Sequence, residues 1–135
     1  MTLLVDTSVW SLALRRDSPG QSVEVRALRQ ALDGADAVVT TGLILQELLQ
    51  GFSGPNANEA IIHRFGVLPL IQPDRQDHVA AAEVRNVCRR GGVQIGTIDA
   101  LLIQLAGRYE LTLLSADKDF LHATRHVPFK LWGNA

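Results

Sequence analysis

Four acidic residues are placed where their carboxylates could do chemistry together. Asp6 directly follows an apolar run, Thr2–Val5, and Asp117 lies two residues past a later apolar run. Asp99 lies in the first turn of a predicted helix, and Glu47 lies on a helix that follows the second predicted strand. An acid among apolar segments is costly to bury without compensation. The sequence does not offer a Lys or Arg partner beside each of the four acids. A hard divalent cation such as Mg²⁺ or Mn²⁺ is therefore the expected partner.

The chemistry expected of such a site is metal-dependent hydrolysis. One or two cations polarise a phosphoryl oxygen, activate a water and stabilise the leaving oxygen. The sequence contains no Gly-x-Ser-x-Gly elbow, no Gly-rich phosphate loop and no His-x-x-x-His pair. Cys88 is expected to be a small buried side chain. Surface or packing roles are expected for the four scattered histidines: His63, His78, His122 and His126.

Each acid also has a purely structural interpretation. Asp6 could cap the helix that follows it. Asp99 could interact favourably with the dipole of its helix. Glu47 could be a solvated face residue, and Asp117 could belong to a turn. The joint placement of all four at one edge of a sheet favours a functional site.

Alternating strands and helices must position these residues. Apolar runs predict strands over 2–5, 37–40, 66–71, 111–115 and 129–132. Amphipathic stretches and capping residues predict helices over 9–16, 22–33, 42–50, 55–64, 76–90 and 97–109. The alternation predicts an α/β fold in which helices cover both faces of a parallel sheet of four to five strands. Ligands of such sheets bind beyond the carboxyl ends of the strands.

Composition is that of an ordinary globular chain. The 135 residues are 47% hydrophobic and 20% charged, which excludes disordered, collagen-like and coiled-coil classes and predicts one domain spanning residues 1–135. The absence of any run of 18 apolar residues and of a basic, apolar leader predicts a cytoplasmic protein without a membrane span. The single cysteine excludes an internal disulfide and a Cys-rich zinc site.

The net charge of −1 provides no overall attraction for nucleic acid. Setting the four proposed ligands aside leaves ten acids against thirteen basic residues, a balance of +3. Bound cations would then make the acidic patch attractive to phosphate. Trp10 could stack on a base, or pack in the core or at a dimer interface. Phosphate contacts could come from the basic residues Arg15, Arg16, Lys118, Arg89 and Arg90, although charges at helix ends are commonly solvated.

The sequence resembles the PIN-domain family, and within it the VapC-type toxins of bacterial toxin–antitoxin pairs. The resemblance covers nearly the whole chain in the family's order. Four stretches carry it: LVDTSVW at 4–10, LQEL at 45–48, IDALLI at 98–103 and LLSADKDF at 113–120. It implies a PIN-like three-layer α/β/α domain and a Mg²⁺- or Mn²⁺-dependent endoribonuclease acting on structured or translation-related RNA.

The resemblance also implies roles for individual residues and partners. Ser8 resembles a hydroxyl beside the first acid, Ser115 a small hydroxyl residue before the last, and Asp119 a further supporting acid. The family's acidic quartet matches Asp6, Glu47, Asp99 and Asp117. Such toxins are usually homodimers and are neutralised by a small VapB-like antitoxin whose tail enters the acidic groove.

The resulting hypothesis is in-line hydrolysis of an RNA phosphodiester by a metal-activated water. Asp6, Asp99 and Asp117 would be the main metal ligands, and Glu47 would bind a second ion or orient the water. The products would carry 5′-phosphate and 3′-hydroxyl ends. Two alternatives remain: an aspartate-based phosphotransfer or phosphatase domain, although Ser8 stands where that phosphatase has its second acid, and a non-catalytic RNA-binding module.

Overall fold

Strands and helices alternate along the chain as the apolar pattern predicts. The computed structural model describes residues 1–15 and 22–134. The strands are β1 (Thr2–Val5), β2 (Ala37–Thr41), β3 (Leu70–Ile71), β4 (Thr112–Leu114) and β5 (Lys130–Leu131). The helices are α1 (Thr7–Leu14), α2 (Val23–Gln30), α3 (Gly42–Gly51), α4 (Pro55–Phe65), α5 (Arg75–Arg90), α6 (Thr97–Arg108) and α7 (Asp119–Ala123), with a π-helical turn at Ala31–Ala35 after α2.

The five strands form one parallel sheet in the order β3-β2-β1-β4-β5. β1 is central, and its Leu4 pairs with Val39 of β2 on one side and Leu113 of β4 on the other. Leu3, Leu4 and Val5 are each at most 1% exposed, as expected for a strand covered on both faces. The predicted α/β fold with a parallel sheet flanked by helices is confirmed.

The order of the strands creates a crevice between β1 and β4. The chain leaves β1 through α1 toward β2, but it leaves β4 through α7 toward β5 on the opposite side. The carboxyl ends of two such neighbouring strands flank the gap in which open α/β sheets bind ligands. Asp6 follows β1 and Asp117 follows β4, so these two acids lie on either side of that crevice.

Short polar signals set the helix boundaries. The hydroxyl of Thr41 accepts from the Ile44 backbone N–H at 3.2 Å, so α3 begins directly at the carboxyl end of β2. The hydroxyl of Ser22 caps α2 through the Val25 backbone N–H, also at 3.2 Å. Gly34, with φ of 108°, ends the helical path before β2, directly after the helix predicted over 22–33.

The core decides between the two interpretations of Trp10. Its side chain is 1% exposed, and its ring lies against Phe65 of α4 with centroids 4.7 Å apart. Trp10 therefore packs α1 against α4 and is not exposed for base stacking. Cys88 is buried as predicted, and burial raises the pKa of its thiol.

Three details differ from the sequence predictions. α1 begins at Thr7, two residues earlier than predicted, because Asp6 alone separates it from β1. β3 pairs only over Leu70–Ile71, since the backbone N–H of Leu68 still bonds the Phe65 carbonyl in the turn that leaves α4. α7 was not predicted, because a five-residue helix is too short to show a helical period.

Within the described ranges, no helix is both long and apolar enough to cross a membrane.

Candidate active site at the carboxyl edge of the sheet

Asp6 occupies the N-cap position of α1 but does not act as a cap. Its side chain makes no capping hydrogen bond to the helix. Instead its Oδ2 accepts from Ser8 Oγ at 2.7 Å and from Ser115 Oγ at 2.9 Å. Asp6 is only 7% exposed, so these hydroxyls compensate a largely buried carboxylate and fix its orientation. The capping interpretation of Asp6 is therefore wrong.

The same two serines attach the loop after β4 to α1. Ser8 Oγ accepts from the Ala116 backbone N–H at 3.1 Å. Ser115 Oγ accepts from the Asp117 backbone N–H at 2.9 Å. Asp117 Oδ1 in turn accepts from the Asp119 backbone N–H at 2.9 Å, which connects the loop to the first turn of α7. The loop that carries Asp117 is therefore held by hydrogen bonds at both ends.

Glu47 is reached from the start of α1. The hydroxyl of Thr7 donates to Glu47 Oε1 at 2.8 Å, and the Glu47 side chain is half-buried. This bond points the Glu47 carboxylate toward the strand end that Asp6 follows. Glu47 is therefore not the freely solvated face residue of the structural interpretation.

Asp99 shares an electrostatic environment with the other three acids. It is half-buried in the first turn of α6, which starts at the carboxyl edge of the sheet. Burial and the negative charges of Asp6 and Asp117 raise its pKa to about 6, against a hydrogen bond from the Gly96 backbone and with a further contribution from Glu47. A carboxylate surrounded by like charges in this way is typical of a functional site.

The four acids have no cationic partner in the described ranges, where the arginine ion pairs are made with other acids. Nor does any group of three or more His, Cys, Asp or Glu side chains among the described residues converge tightly enough to hold a metal ion as it stands. The donor set nevertheless has the chemistry that Mg²⁺ and Mn²⁺ require, since four carboxylates offer hard oxygen ligands without a competing cation. Asp6 Oδ1, Glu47 Oε2 and Asp117 Oδ2 accept no hydrogen bond from the described part of the chain.

The remaining predicted residues are spread around this edge. Asp119 is exposed in α7 and reaches the site through its backbone N–H. Lys118 is exposed beside Asp117, and Arg15 is exposed at the end of α1. Arg16 lies outside the described residues. At the end of α5, the two arginines bond neighbours on their own helix: Arg89 with Asn86 at 3.1 Å, and Arg90 with Glu83 at 3.1 Å.

The histidines occupy the places expected of them. His63, His78 and His122 are exposed. The imidazole of His126 packs directly over Gly91 at the end of α5, where a Cβ would overlap the ring. His126 is therefore a packing residue at the end of α5.

Sequence reasoning missed Thr7. Thr7 lies between Asp6, which follows β1, and Ser8, and this position was the available signal. Its partner Glu47 is 40 residues away along the chain, so only the fold brings the two together.

Comparison with known proteins identifies the family. The family model of the PIN domain matches residues 3–125, so this chain belongs to the PIN domain family. A search among curated proteins finds no significant match.

Solved structures with the same fold include toxin–antitoxin complexes and a toxin. VapBC2 of Rickettsia felis, bound to a DNA fragment from its promoter, matches with a TM-score of 0.74, 18% identity and 97% of each chain covered. FitAcB of Neisseria gonorrhoeae matches with a TM-score of 0.69, 20% identity, and 97% of this chain and 96% of that one covered. VapC20 of Mycobacterium tuberculosis, described as a sarcin–ricin loop cleaving toxin, matches with a TM-score of 0.67 and 19% identity over 93% of this chain and 96% of that one. The structural neighbours are thus VapC and FitB toxins at low identity.

Proposed function

We propose that this PIN domain is a metal-dependent endoribonuclease and the toxin of a VapBC-type toxin–antitoxin pair. The observation that carries the proposal is the position of Asp99. Its pKa is raised by burial and by the charges of Asp6 and Asp117, at the strand-order crevice where such sheets bind ligands. Concentrated negative charge without a basic partner in the described ranges is suited to a divalent cation and, through it, to a phosphate.

Asp6, Asp99 and Asp117 would hold the cation, and Glu47 would hold a second ion or orient the attacking water. Bound Mg²⁺ or Mn²⁺ would polarise the phosphoryl oxygen and make water a stronger nucleophile at neutral pH. Ser8 and Ser115 would position Asp6 by holding Oδ2, which leaves Oδ1 toward the ligand. Asp119 would support the Asp117 loop through its backbone N–H.

The neighbours of Asp6 favour a metal ligand over an aspartyl-phosphatase nucleophile. The hydroxyls of Ser8 and Ser115 hold Oδ2 at 2.7 and 2.9 Å. At the position of the phosphatase's second acid, Ser8 donates to Asp6 and offers no general acid. Nuclease chemistry, in which Asp6 binds a cation and water attacks, is therefore the better match.

The proposal extends to partners and location. The solved neighbours include VapBC and FitAB complexes, some bound to DNA. A small VapB-like antitoxin, a homodimeric assembly and a cytoplasmic place of action are proposed for this chain by analogy. The substrate class is RNA with exposed phosphodiesters, bound with the help of Arg15, Arg16 and Lys118.

The test is induction of the wild type and of Asp99→Asn in bacterial cells, with growth and RNA integrity followed together. Asp33→Asn is the matched control, because Asp33 is an exposed acid just before β2, at the opposite edge of the sheet. Growth arrest and RNA cleavage are expected for the wild type and the control and are expected to disappear with Asp99→Asn. Equal toxicity of wild type and Asp99→Asn would contradict the assignment.

The ends of the RNA fragments test the mechanism. Attack by water produces 5′-phosphate and 3′-hydroxyl ends, whereas attack by the ribose 2′-hydroxyl produces 2′,3′-cyclic phosphate. Purified protein should cleave RNA with Mg²⁺ or Mn²⁺ added and should lose cleavage with a chelator. Cyclic phosphate products, or full activity in chelator, would overturn the metal-dependent mechanism.

A further inference from the structure

A groove of about 330 Å³ adjoins the candidate active site on the β5 side of the sheet. One wall is the loop that carries Asp117, from Ser115 to Lys118, and the other is Leu131 with the residues after it. The groove and the acidic site share Asp117, so a polymer whose phosphate lies at the acids would have its neighbouring unit in the groove. Its volume is in the lower part of the range for ligand pockets.

Trp132 forms the aromatic wall of this groove and is held by backbone hydrogen bonds. β5 pairs Leu131 with Leu113, and the Trp132 backbone N–H donates to the Leu113 carbonyl at 2.9 Å. The Trp132 backbone is thereby fixed beside the end of β4, one strand spacing of about 4.8 Å away. Its side chain is half-buried, with part packed on the core and part lining the groove.

The lining of the groove combines apolar surface with charge. Val23 and Leu121 line the groove and are unusually exposed for apolar residues, at 50% and 45%. Lys118 contributes an exposed ammonium that makes no ion pair within the described ranges, and Glu24 contributes a carboxylate. The combination suits a flat aromatic ligand with polar edges that is attached to a phosphate.

We propose that this groove is a nucleobase subsite, in which an unpaired base flanking the scissile phosphate stacks on Trp132 while Lys118 contacts the adjoining phosphate. The inference rests on the proposed ribonuclease function and specifies part of its substrate: a single-stranded or splayed-out nucleotide. A stacked indole is tolerant of base identity, because every base has a π-face. Glu24 would accept from an exocyclic amino group at the edge of the base. Since Asp117 and Lys118 are adjacent, the loop that carries them would contact the phosphate while Trp132 contacts the base.

The direct test uses fluorescence in a protein with one tryptophan. The sequence has two tryptophans, and Trp10 is buried in the core, so Trp10→Phe leaves Trp132 as the reporter. Asp99→Asn is added to prevent cleavage. Titration with a single-stranded oligoribonucleotide should quench the Trp132 emission, with the same Kd that anisotropy of labelled RNA reports. Unchanged Trp132 emission at saturating RNA would overturn the proposal. A change in emission when the protein is diluted without RNA would also overturn it, because a second copy of the chain would then occupy the groove.

Substitutions of Trp132 test its energetic role. Trp132→Leu keeps apolar packing and should weaken binding of single-stranded RNA by about 5- to 150-fold, whereas Trp132→Phe should lose far less. In cleavage by the otherwise wild-type chain, Trp132→Leu should raise KM more than it lowers kcat. Equal RNA affinity of Trp132→Leu and wild type would contradict the subsite.

An abasic substrate separates stacking from a structural effect. When one nucleotide next to the cleavage site lacks its base, wild type and Trp132→Leu should differ little, because there is nothing to stack. A difference that persists with an abasic residue at every flanking position would assign Trp132 to structure alone and overturn the proposal. Failure of the ribonuclease function would appear separately, as absence of cleavage by the wild type, while the emission experiment would still report whether RNA enters the groove.

Discussion

Ser115 donates its hydroxyl to Asp6 Oδ2 at 2.9 Å across the boundary between β4 and β1, although 109 residues separate the two in the chain. Ser8 donates to the same oxygen, and the two serine oxygens lie 3.4 Å apart. The orientation of Asp6 therefore depends on a pair of hydroxyls that come from opposite ends of the sequence.

Removal of the Ser115 hydroxyl should weaken metal binding without abolishing the fold. Loss of an outer hydrogen bond to a ligand commonly costs 10- to 100-fold in metal affinity or activity. Ser115→Ala should therefore raise the Mg²⁺ concentration for half-maximal RNA cleavage by about tenfold or more, while Ser115→Thr, which keeps a hydroxyl, should lose less. The control is Ser11→Ala on α1, because the Ser11 hydroxyl makes no hydrogen bond in this network. An unchanged Mg²⁺ dependence in Ser115→Ala would remove Ser115 from the site.

Asp99 should destabilise the metal-free protein above about pH 6. Its pKa is raised in the folded state, from 3.8 to about 6, so the folded state loses stability as pH rises from about 4 to 6 and the carboxyl ionises. Asp99→Asn should increase the free energy of unfolding at pH 7.5 by about 1–3 kcal/mol in chelator. A pKa shift of one unit corresponds to about 1.36 kcal/mol, and solvent screens part of the repulsion.

Denaturant unfolding at two pH values checks this prediction. The difference between wild type and Asp99→Asn should shrink toward zero near pH 4, where the wild-type carboxyl is protonated. Mg²⁺ at a hundred times its Kd should stabilise the wild type by about 2.7 kcal/mol and should stabilise the variant less. An Asp99→Asn protein that is less stable at pH 7.5 in chelator would argue against electrostatic repulsion at this site.

Asp77 should have the opposite effect on stability. It is 1% exposed, completes a capping box with Asp74 and accepts from Arg108 of α6. Burial raises its pKa, but its hydrogen bonds with Asp74 and Gln104 and the charge of Arg108 outweigh burial, so the pKa is lowered overall. Its stabilising contribution is therefore complete above the unfolded pKa and is lost as pH falls through the folded one.

Asp77→Asn should cost about 1.5–3 kcal/mol of unfolding free energy at pH 7, the range for hydrogen bonds to a charged group. The cost should decline in strong acid, and RNA cleavage at 25 °C should be unaffected because the cluster lies away from the acids. Asp74→Asn, at an exposed position, should cost less. A pH-independent cost would show that Asp77 acts through shape alone.

Gly91 should accept a side chain only when the His126 imidazole moves aside. A Cβ at this position would overlap the imidazole, so Gly91→Ala should destabilise by about 1 kcal/mol, the low end of the overpacking range, because the ring can rotate. The double variant Gly91→Ala, His126→Ala should be no less stable than His126→Ala alone. Gly51→Ala is the matched control, because open space surrounds that glycine at the end of α3, and it should be neutral or slightly stabilising. Additive costs at Gly91 and His126 would contradict the contact.

Lys118 should contribute one phosphate contact. Each neutralised phosphate changes the slope of log K against log salt by about 0.7 for single strands. Lys118→Ala should lower the slope for RNA binding to the uncleaving Asp99→Asn protein by that amount, whereas Lys130→Ala, which changes the other lysine of the chain, should not. Identical salt slopes for both variants would place Lys118 outside the RNA path.

The sequence predicted the elements that have strong local signals. Apolar runs located β1 and β2, and Thr41 and Ser22 marked the starts of α3 and α2, because capping is read from neighbouring residues. The four acids were proposed as a site from their positions just beyond a strand or on a helix that could begin at the same edge of the sheet. The Thr7–Glu47 bond, the exposure of Trp132 to a groove and the five-residue α7 were not predictable, since each depends on tertiary packing or on a segment too short to show a period.

The distance along the chain between Ser115 and Asp6 has a consequence for synthesis of the protein. β1 is synthesised well before its neighbour β4 and the loop that carries Asp117. A chain still on the ribosome therefore has Asp6 without its second hydroxyl, without Asp99 until α6 emerges, and without the loop. If the proposed nuclease acts on translation-related RNA, the nascent chain is inactive toward its own ribosome until the Asp117 loop has emerged and folded beside β1.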